Sequence, residues 1–265
     1  MQHLYHIIAN DTPLQHKFSF ALWTCGIIRE LLKQQYGIHL SEVSIGRLLK
    51  KLGLTRQKPL FRAYQQNPEK VEQYLTKEYP EIKKLAKRNG ASIYFGDEAN
   101  IRSDYHSGTT WALQGETPIV KTTGARFRAN MISAVSAKGE MRFMLTEKST
   151  TADIFIEFLG RLIKGVDHPI YLILDGHPVH TSKKVKDYVT NLEGKLVLFF
   201  LPGYSPELNP DEHVWGYVKD HIVGKKVVTG PDQFYSLVLG AFRKIQRLPR
   251  IIRNIFLSKD LRYVM

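Results

Sequence analysis

The sequence predicts an α/β domain, a mixed sheet flanked by helices, preceded by a small all-α unit. Three observations carry this reading. Apolar residues recur at helical spacing in the first fifty or so residues. After Gly90 the period changes to short strand-like runs. From Thr151 onward, helix-like and strand-like segments alternate. Strands in succession, followed by alternating helix and strand, read as a mixed sheet with helices on its faces.

The first helix is expected over Ala21–Gln35, where Trp23, Ile27, Ile28, Leu31 and Leu32 share a face and Tyr36-Gly37 ends the run. Ser41 is the expected N-cap of a second helix reaching about Lys51, with Ile45, Leu48, Leu49 and Leu52 aligned and Gly53 as its end. Helix, short Gly-containing turn, helix is the shape of a helix-turn-helix, and an ordinary αα-hairpin has the same pattern. The outward face tips the balance toward DNA, because it carries Ser44, Arg47, Lys50 and Lys51. A basic extension, Thr55-Arg56-Gln57-Lys58, follows, and Pro59 closes the unit. Ser44, Arg47, Lys50, Lys51, Arg56 and Lys58 are therefore the candidate DNA contacts.

Asn67–Asn89 is charged and periodic, with Pro80 as an interruption, and reads as a pair of linking helices ending at Gly90. Strands are expected at Ile93–Asp97, Thr110–Leu113, Asn130–Ser136 and Met141–Thr146, with turns at Gly115, Gly124 and Lys138-Gly139. Next come a helix at Thr151–Lys164, a strand at Ile170–Asp175, a helix at Ser182–Leu192, a strand at Lys195–Leu201 and a helix at Asn209–His221. Pro231–Met265 reads as helical and basic. The expected divisions are 1–66 for the helix-turn-helix unit, 67–90 for a helical linker, 91–228 for the sheet domain and 229–265 for a helical extension.

Composition narrows the function. The chain has 265 residues, 43% of them hydrophobic, enough for a packed core. No apolar run is long enough to span a bilayer, and MQHLYHIIANDTP lacks the charged-then-apolar order of a signal peptide. The single cysteine, Cys25, excludes an intramolecular disulfide and a Cys-based zinc site, and is consistent with a reducing cytoplasm. Lys plus Arg total 38 against 25 Asp plus Glu, a formal charge of +13. That surplus favours a polyanionic partner, nucleic acid before an anionic membrane surface.

Three carboxylates stand at the ends of buried elements. Asp97 closes SIYFGDEAN, Asp175 closes the strand in LILDGHPVH, and Glu212 follows Asn209-Pro210 at a helix start. Mg²⁺ takes hard oxygen ligands and keeps several waters, so a few carboxylates with substrate phosphates suffice. Two such ions roughly 3.5–4 Å apart clamp both oxygens of an in-line displacement. Each position has a plainer reading. Asp175-Gly176 is a common turn signal. Glu98 competes with Asp97, although strand alternation sends the two to opposite faces. Glu212 sits where a capping-box glutamate belongs, and Glu207 and Asp211 compete with it. His177 and His180 lack a third nitrogen or sulfur ligand for zinc and suit hydrogen bonds to phosphate or to a site carboxylate. Trp215 and Tyr217 read as core or interface aromatics. Arg126 and Arg128 suit either phosphate contact or a solvated turn.

FGDEA, SDYHSGTTWALQGETP, ILDGHPVHTSKKVKDYV and LFFLPGYSPELNPDEHVW, in that order, resemble the DDE transposases of the mariner superfamily, and most of all the bacterial insertion-sequence-630 family. ALWTCGIIRELL and GIHLSEVSIGRLLKKLGLTRQKP resemble the second, winged-type helix-turn-helix of that family. The likeness covers nearly the whole chain, and YSPELNPDEHVW is its most specific string. It implies an RNase-H-like catalytic domain with Asp97, Asp175 and Glu212 as the catalytic, metal-holding triad; the choice of Glu212 over Glu207 comes from the family. It also implies Mg²⁺, with Mn²⁺ as substitute, and double-stranded DNA as partner, both element ends and target, at TA sites. A homodimer on DNA, no membrane, and a bacterial cytoplasmic location at the nucleoid complete the expectation. Family members carry a further helix-turn-helix before the segment that opens this chain, so a missing first unit is expected. Two alternatives stay open: an RNase-H-like nuclease without strand transfer, and a non-catalytic DNA-binding remnant or regulator.

Overall fold

The structure, a computed structural model, describes residues 1–57, 59 and 63–265. The candidate DNA contact Lys58 lies outside the described residues. The chain divides into two compact units, Met1–Phe61 and Arg62–Met265.

The first unit is helical among its described residues. Helix α1 (Gln2–Asn10), which the sequence reading did not anticipate, adds Leu4 and Ile7 to a small core. Helix α2 (Cys25–Tyr36) starts four residues later than expected, because Thr24 caps it: its Oγ1 accepts from the Ile27 N–H at 3.2 Å. Gly37 ends it in the left-handed region, at φ 65°. Helix α3 (Glu42–Lys51) is capped by Ser41, whose Oγ accepts from the Ser44 N–H at 3.1 Å. Ile28, Leu31, Leu32 and Ile45 are buried together, with Leu48, Leu49 and Leu52 packed against them.

The second unit opens with α4 (Pro68–Gln73), a π-helical turn at Tyr74–Glu78 and α5 (Tyr79–Asn89). Pro80 sits in the first turn of α5, where its missing N–H is best tolerated. Five strands follow: β1 (Ser92–Arg102), β2 (Arg128–Val135), β3 (Met141–Thr146), β4 (Ile170–Leu174) and β5 (Leu196–Phe200). Their order is β3-β2-β1-β4-β5. The β1–β2 and β2–β3 pairs are antiparallel, and β1–β4 and β4–β5 are parallel, so the sheet is mixed. This is the RNase-H-like arrangement.

Helices α6 (Ala152–Ile163) and α7 (Lys183–Thr190) cover one face, packing Phe155, Phe158, Leu159 and Val185 on Ile132, Leu172 and Leu174. Helices α8 (Pro210–His221), α9 (Pro231–Gln246) and α10 (Pro249–Phe256) join α5 on the other, around Phe95, Met131, Ile173 and Trp215. At ~25 cal/mol per Å² of apolar area, this burial on both faces is the main force holding the sheet between its helices. Gly96 is needed inside β1. A Cβ there would lie 3.1 Å from Leu172, Leu174 and the Ser133 carbonyl oxygen.

The expected strand at Thr110–Leu113 does not form. Trp111 is 99% exposed and Leu113 72%, so the alternation has no sheet to bury against. β1 runs on instead to Arg102, which pairs with Arg128. No helix among the described residues is long and apolar enough to cross a membrane.

Candidate active site

Parallel pairing between β1 and β4 stops at Phe95 and Ile173. Two residues further come Asp97, still on β1, and Asp175, just past the end of β4. They stand where the strands no longer bond to one another, at the carboxyl end of the parallel pair, which is where α/β sheets hold ligands. Alternation puts Asp97 on the face covered by α8 and turns Glu98 to the opposite face.

Helix α8 delivers the third carboxylate. Asn209 caps it, its Oδ1 accepting from the Asp211 N–H at 3.1 Å, with Pro210 in the first turn. The other half of the same amide donates to the Gly96 carbonyl at 3.2 Å, tying the helix start to β1 beside Asp97. Asp97, Asp175 and Glu212 then line one cavity of about 420 Å³, walled by the loop 201–206. No lysine or arginine lines it among the described residues.

The competing carboxylates go elsewhere. Asp211 is fully buried, with the Ser133 hydroxyl 2.7 and 2.6 Å from its two oxygens. Glu207 accepts from Gln66 Nε2 at 2.7 Å and does not line the cavity. Glu98 bonds to His180 Nε2 at 2.7 Å. Arg126 pairs with Asp104 at 3.3 Å, and Trp215 is a core residue against Phe242. On α3, Arg47, Lys50 and Lys51 are exposed, as is Arg56 after it, while Ser44 is partly covered. The Ser44 hydroxyl lies 2.9 Å from that of Ser41.

Electrostatics separates the site carboxylates. Asp97 is 8% exposed and its carboxyl is pushed up to about 9, by burial first and then by the Asp211 and Glu212 carboxylates. Burial likewise raises Asp211 well above the usual carboxylate range, against the Ser133 hydrogen bond. For Asp175, burial is outweighed by hydrogen bonds from His180 and the His177 N–H, and its carboxyl is held low. His180 is raised to about 10: burial opposes the charge, but the carboxylates of Asp175 and Glu98 prevail. Carboxylates converging on a cavity lined by no lysine or arginine among the described residues, with Asp97 raised by burial and by its neighbouring carboxylates, fit a divalent cation with oxygen ligands.

Residues 92–230, just over half the chain, match the family model described as DDE superfamily endonuclease. The chain belongs to this family. Residues 19–78 match a second model, winged helix-turn helix. Among curated relatives, the DDE superfamily chain is 31% identical over 101 residues to the uncharacterized protein y4pE/y4sA of Sinorhizobium fredii, covering 38% of this chain and 70% of that one. It is 35% identical over 63 residues to the transposable element Tcb2 transposase of Caenorhabditis briggsae, covering 24% of this chain and 22% of that relative. Its fold is similar to the Mos1 mariner paired end complex with Mn, with TM-score 0.64 and 15% identity over all of this chain and 79% of that one.

Two contacts at the candidate site escaped sequence reasoning. Asn209 reads only as a helix cap, and its bond to β1 needs the sheet to be seen. The pairing of His180 with Glu98 joins residues 82 positions apart, a separation for which the sequence offers no signal.

Proposed function

We propose that this DDE superfamily enzyme is a transposase of the insertion-sequence-630 type, which cuts an element's ends from double-stranded DNA and joins them to target DNA at TA sites. The observation that carries the reading is the convergence of Asp97, Asp175 and Glu212 on one cavity that no lysine or arginine lines among the described residues. These three would hold two Mg²⁺ ions, with Mn²⁺ as substitute. When bound, the ions supply activation of the attacking oxygen and charge stabilisation at the phosphate.

The chain's own residues do the positioning. Asp97 is fixed by burial on a central strand, and its Oδ1 accepts from the Glu98 N–H at 2.8 Å. Asp175 Oδ1 accepts from the His177 N–H at 3.1 Å and faces His180 Nδ1 at 2.9 Å, which leaves Oδ2 for the cavity. Glu212 is exposed in the first turn of α8, free to approach a ligand. Water would cut the strand, and the freed 3′-hydroxyl would then attack the target by the same in-line displacement.

In this reading, residues 1–66 bind DNA, 67–90 link, 91–228 catalyse and 229–265 extend the catalytic part. Ser44, Arg47, Lys50, Lys51 and Arg56 would face the duplex, supported by their place on and just after α3 and by the +13 charge. A homodimer on DNA is supported by the segment between β1 and β2, which leaves Trp111, Leu113, Ile119 and Val120 exposed in one stretch. Action on DNA in a bacterial cytoplasm, at the nucleoid, follows from the same reading. The test is joining of a pre-cut element end to target DNA. Joined product that disappears with a 3′-deoxy end supports a transposase, whereas cleavage without joining favours an RNase-H-like nuclease.

A further inference from the structure

We propose that His180 is a positioning residue for Asp175, and that Glu98 locks His180 in place. The inference rests on the assignment of Asp175 to the metal-holding set. His180 lies in the turn after β4, and its side chain is fully buried. Nδ1 is 2.9 Å from Asp175 Oδ1 and 3.1 Å from the Asp175 carbonyl oxygen, and Nε2 is 2.7 Å from Glu98 Oε1. The ring packs on Phe155 of α6, with centroids 4.5 Å apart.

With both nitrogens engaged and one ring face covered, the imidazole cannot turn without breaking a buried hydrogen bond. Asp175 needs such a partner. Its side chain is 52% exposed and lies just beyond the end of β4, where the strand no longer orients it. His180 and the His177 N–H both engage Oδ1, so the carboxylate has one anchored oxygen and one that is available.

Glu98 gives the contact a second consequence. It is the immediate neighbour of Asp97 on β1 but occupies the opposite face of the sheet. The chain Glu98–His180–Asp175 therefore ties the end of β4 to the strand that carries Asp97, and sets the spacing of the two carboxylates. Ligand atoms of Glu98, Asp175 and His180 lie within 4.8 Å of one another, a spacing also open to a cation. The two hydrogen bonds account for that spacing, because coordination at either ring nitrogen would require breaking one of them.

Mn²⁺ binding to the full chain, followed by electron paramagnetic resonance, tests the proposal together with the unfolding temperature and the Mn²⁺ dependence of plasmid nicking. The variants are His180→Ala, Glu98→Ala and Glu98→Gln, with Asp175→Asn as reference. Outer contacts that orient metal ligands are worth about 10–100-fold in metal affinity. His180→Ala and Glu98→Ala are expected to weaken Mn²⁺ binding by about that factor, raising the KM for Mn²⁺ more than they lower kcat at saturating metal. Glu98→Gln, whose amide oxygen still accepts from Nε2–H, is expected to restore most of the affinity. Glu98 is 18% exposed, so its variants keep the test decisive if His180→Ala does not fold. Unchanged Mn²⁺ affinity in Glu98→Ala or in folded His180→Ala overturns the proposal, as does equal loss in Glu98→Gln and Glu98→Ala. Unchanged affinity in Asp175→Asn would instead overturn the assignment of Asp175.

Discussion

In the first unit the charge proposed to meet DNA is positive, exposed and carried by a helix surface: Arg47, Lys50 and Lys51 on α3, with Arg56 just beyond. In the second the charge at the candidate site is negative, concentrated and drawn inward. Asp97 and Asp211 are buried, Asp175 is paired with His180, and no lysine or arginine lines the cavity among the described residues. The comparison teaches that net charge and site charge are separate quantities. A +13 chain attracts a polyanion at long range, yet the place where chemistry is proposed is acidic. The two demands coexist because a phosphate held by cations at an acidic site needs the rest of the protein to attract the DNA.

If the two regions work as separate devices, damage to one should spare the other. The largest effect is expected from Asp97→Asn, which should lower metal-dependent nicking by about 10²–10³-fold or more. DNA affinity in a gel-shift assay without metal should stay within a factor of about two. Next comes the triple variant Arg47→Ala, Lys50→Ala and Lys51→Ala. Each lost phosphate contact removes roughly one unit from the slope of log affinity against log salt, so the slope should fall by about 2–3. Mn²⁺ binding should be unchanged. If this variant lost Mn²⁺ binding, the separation would be broken.

Smaller effects sharpen how the acidic region is built. Ser133→Ala removes the side-chain donor to buried Asp211 and should destabilise the second unit by about 1–3 kcal/mol in urea unfolding. Gly96→Ala places a methyl 3.1 Å from three neighbours and should cost about 1–3 kcal/mol. It should also slow nicking, because Asp97 is the next residue. At the small end, Thr24→Ala removes the α2 cap and should cost the first unit about 1 kcal/mol, with no effect on nicking by the second.

Much of the fold was legible where one local rule governs. The strand ending at Asp175 is a short apolar run closed by a turn, and α8 announces itself by Asn209-Pro210. Helix α3 starts at its expected cap, Ser41. Legibility failed where the answer depends on distant partners. Thr110–Leu113 alternates like a strand but finds no neighbour to bond or bury against. Helix α1 is too short to show a clear period and is defined by its packing on α2 and α3. At the site, alternation alone sent Asp97 and Glu98 to opposite faces. Spacing could not rank Glu207, Asp211 and Glu212; the family resemblance chose Glu212 over Glu207, and in the structure Glu212 lines the cavity while Asp211 turns to Ser133 and Glu207 to Gln66. The contact between Glu98 and His180 was equally hidden, since the β1–β4 pairing brings the two together.

Nicking of supercoiled plasmid in Mg²⁺ or Mn²⁺, comparing the wild-type chain with Asp175→Asn, tests the central claim most directly. The account predicts nicking that requires the metal and is lost in the variant, with DNA binding retained. Full metal-dependent nicking by Asp175→Asn would contradict it.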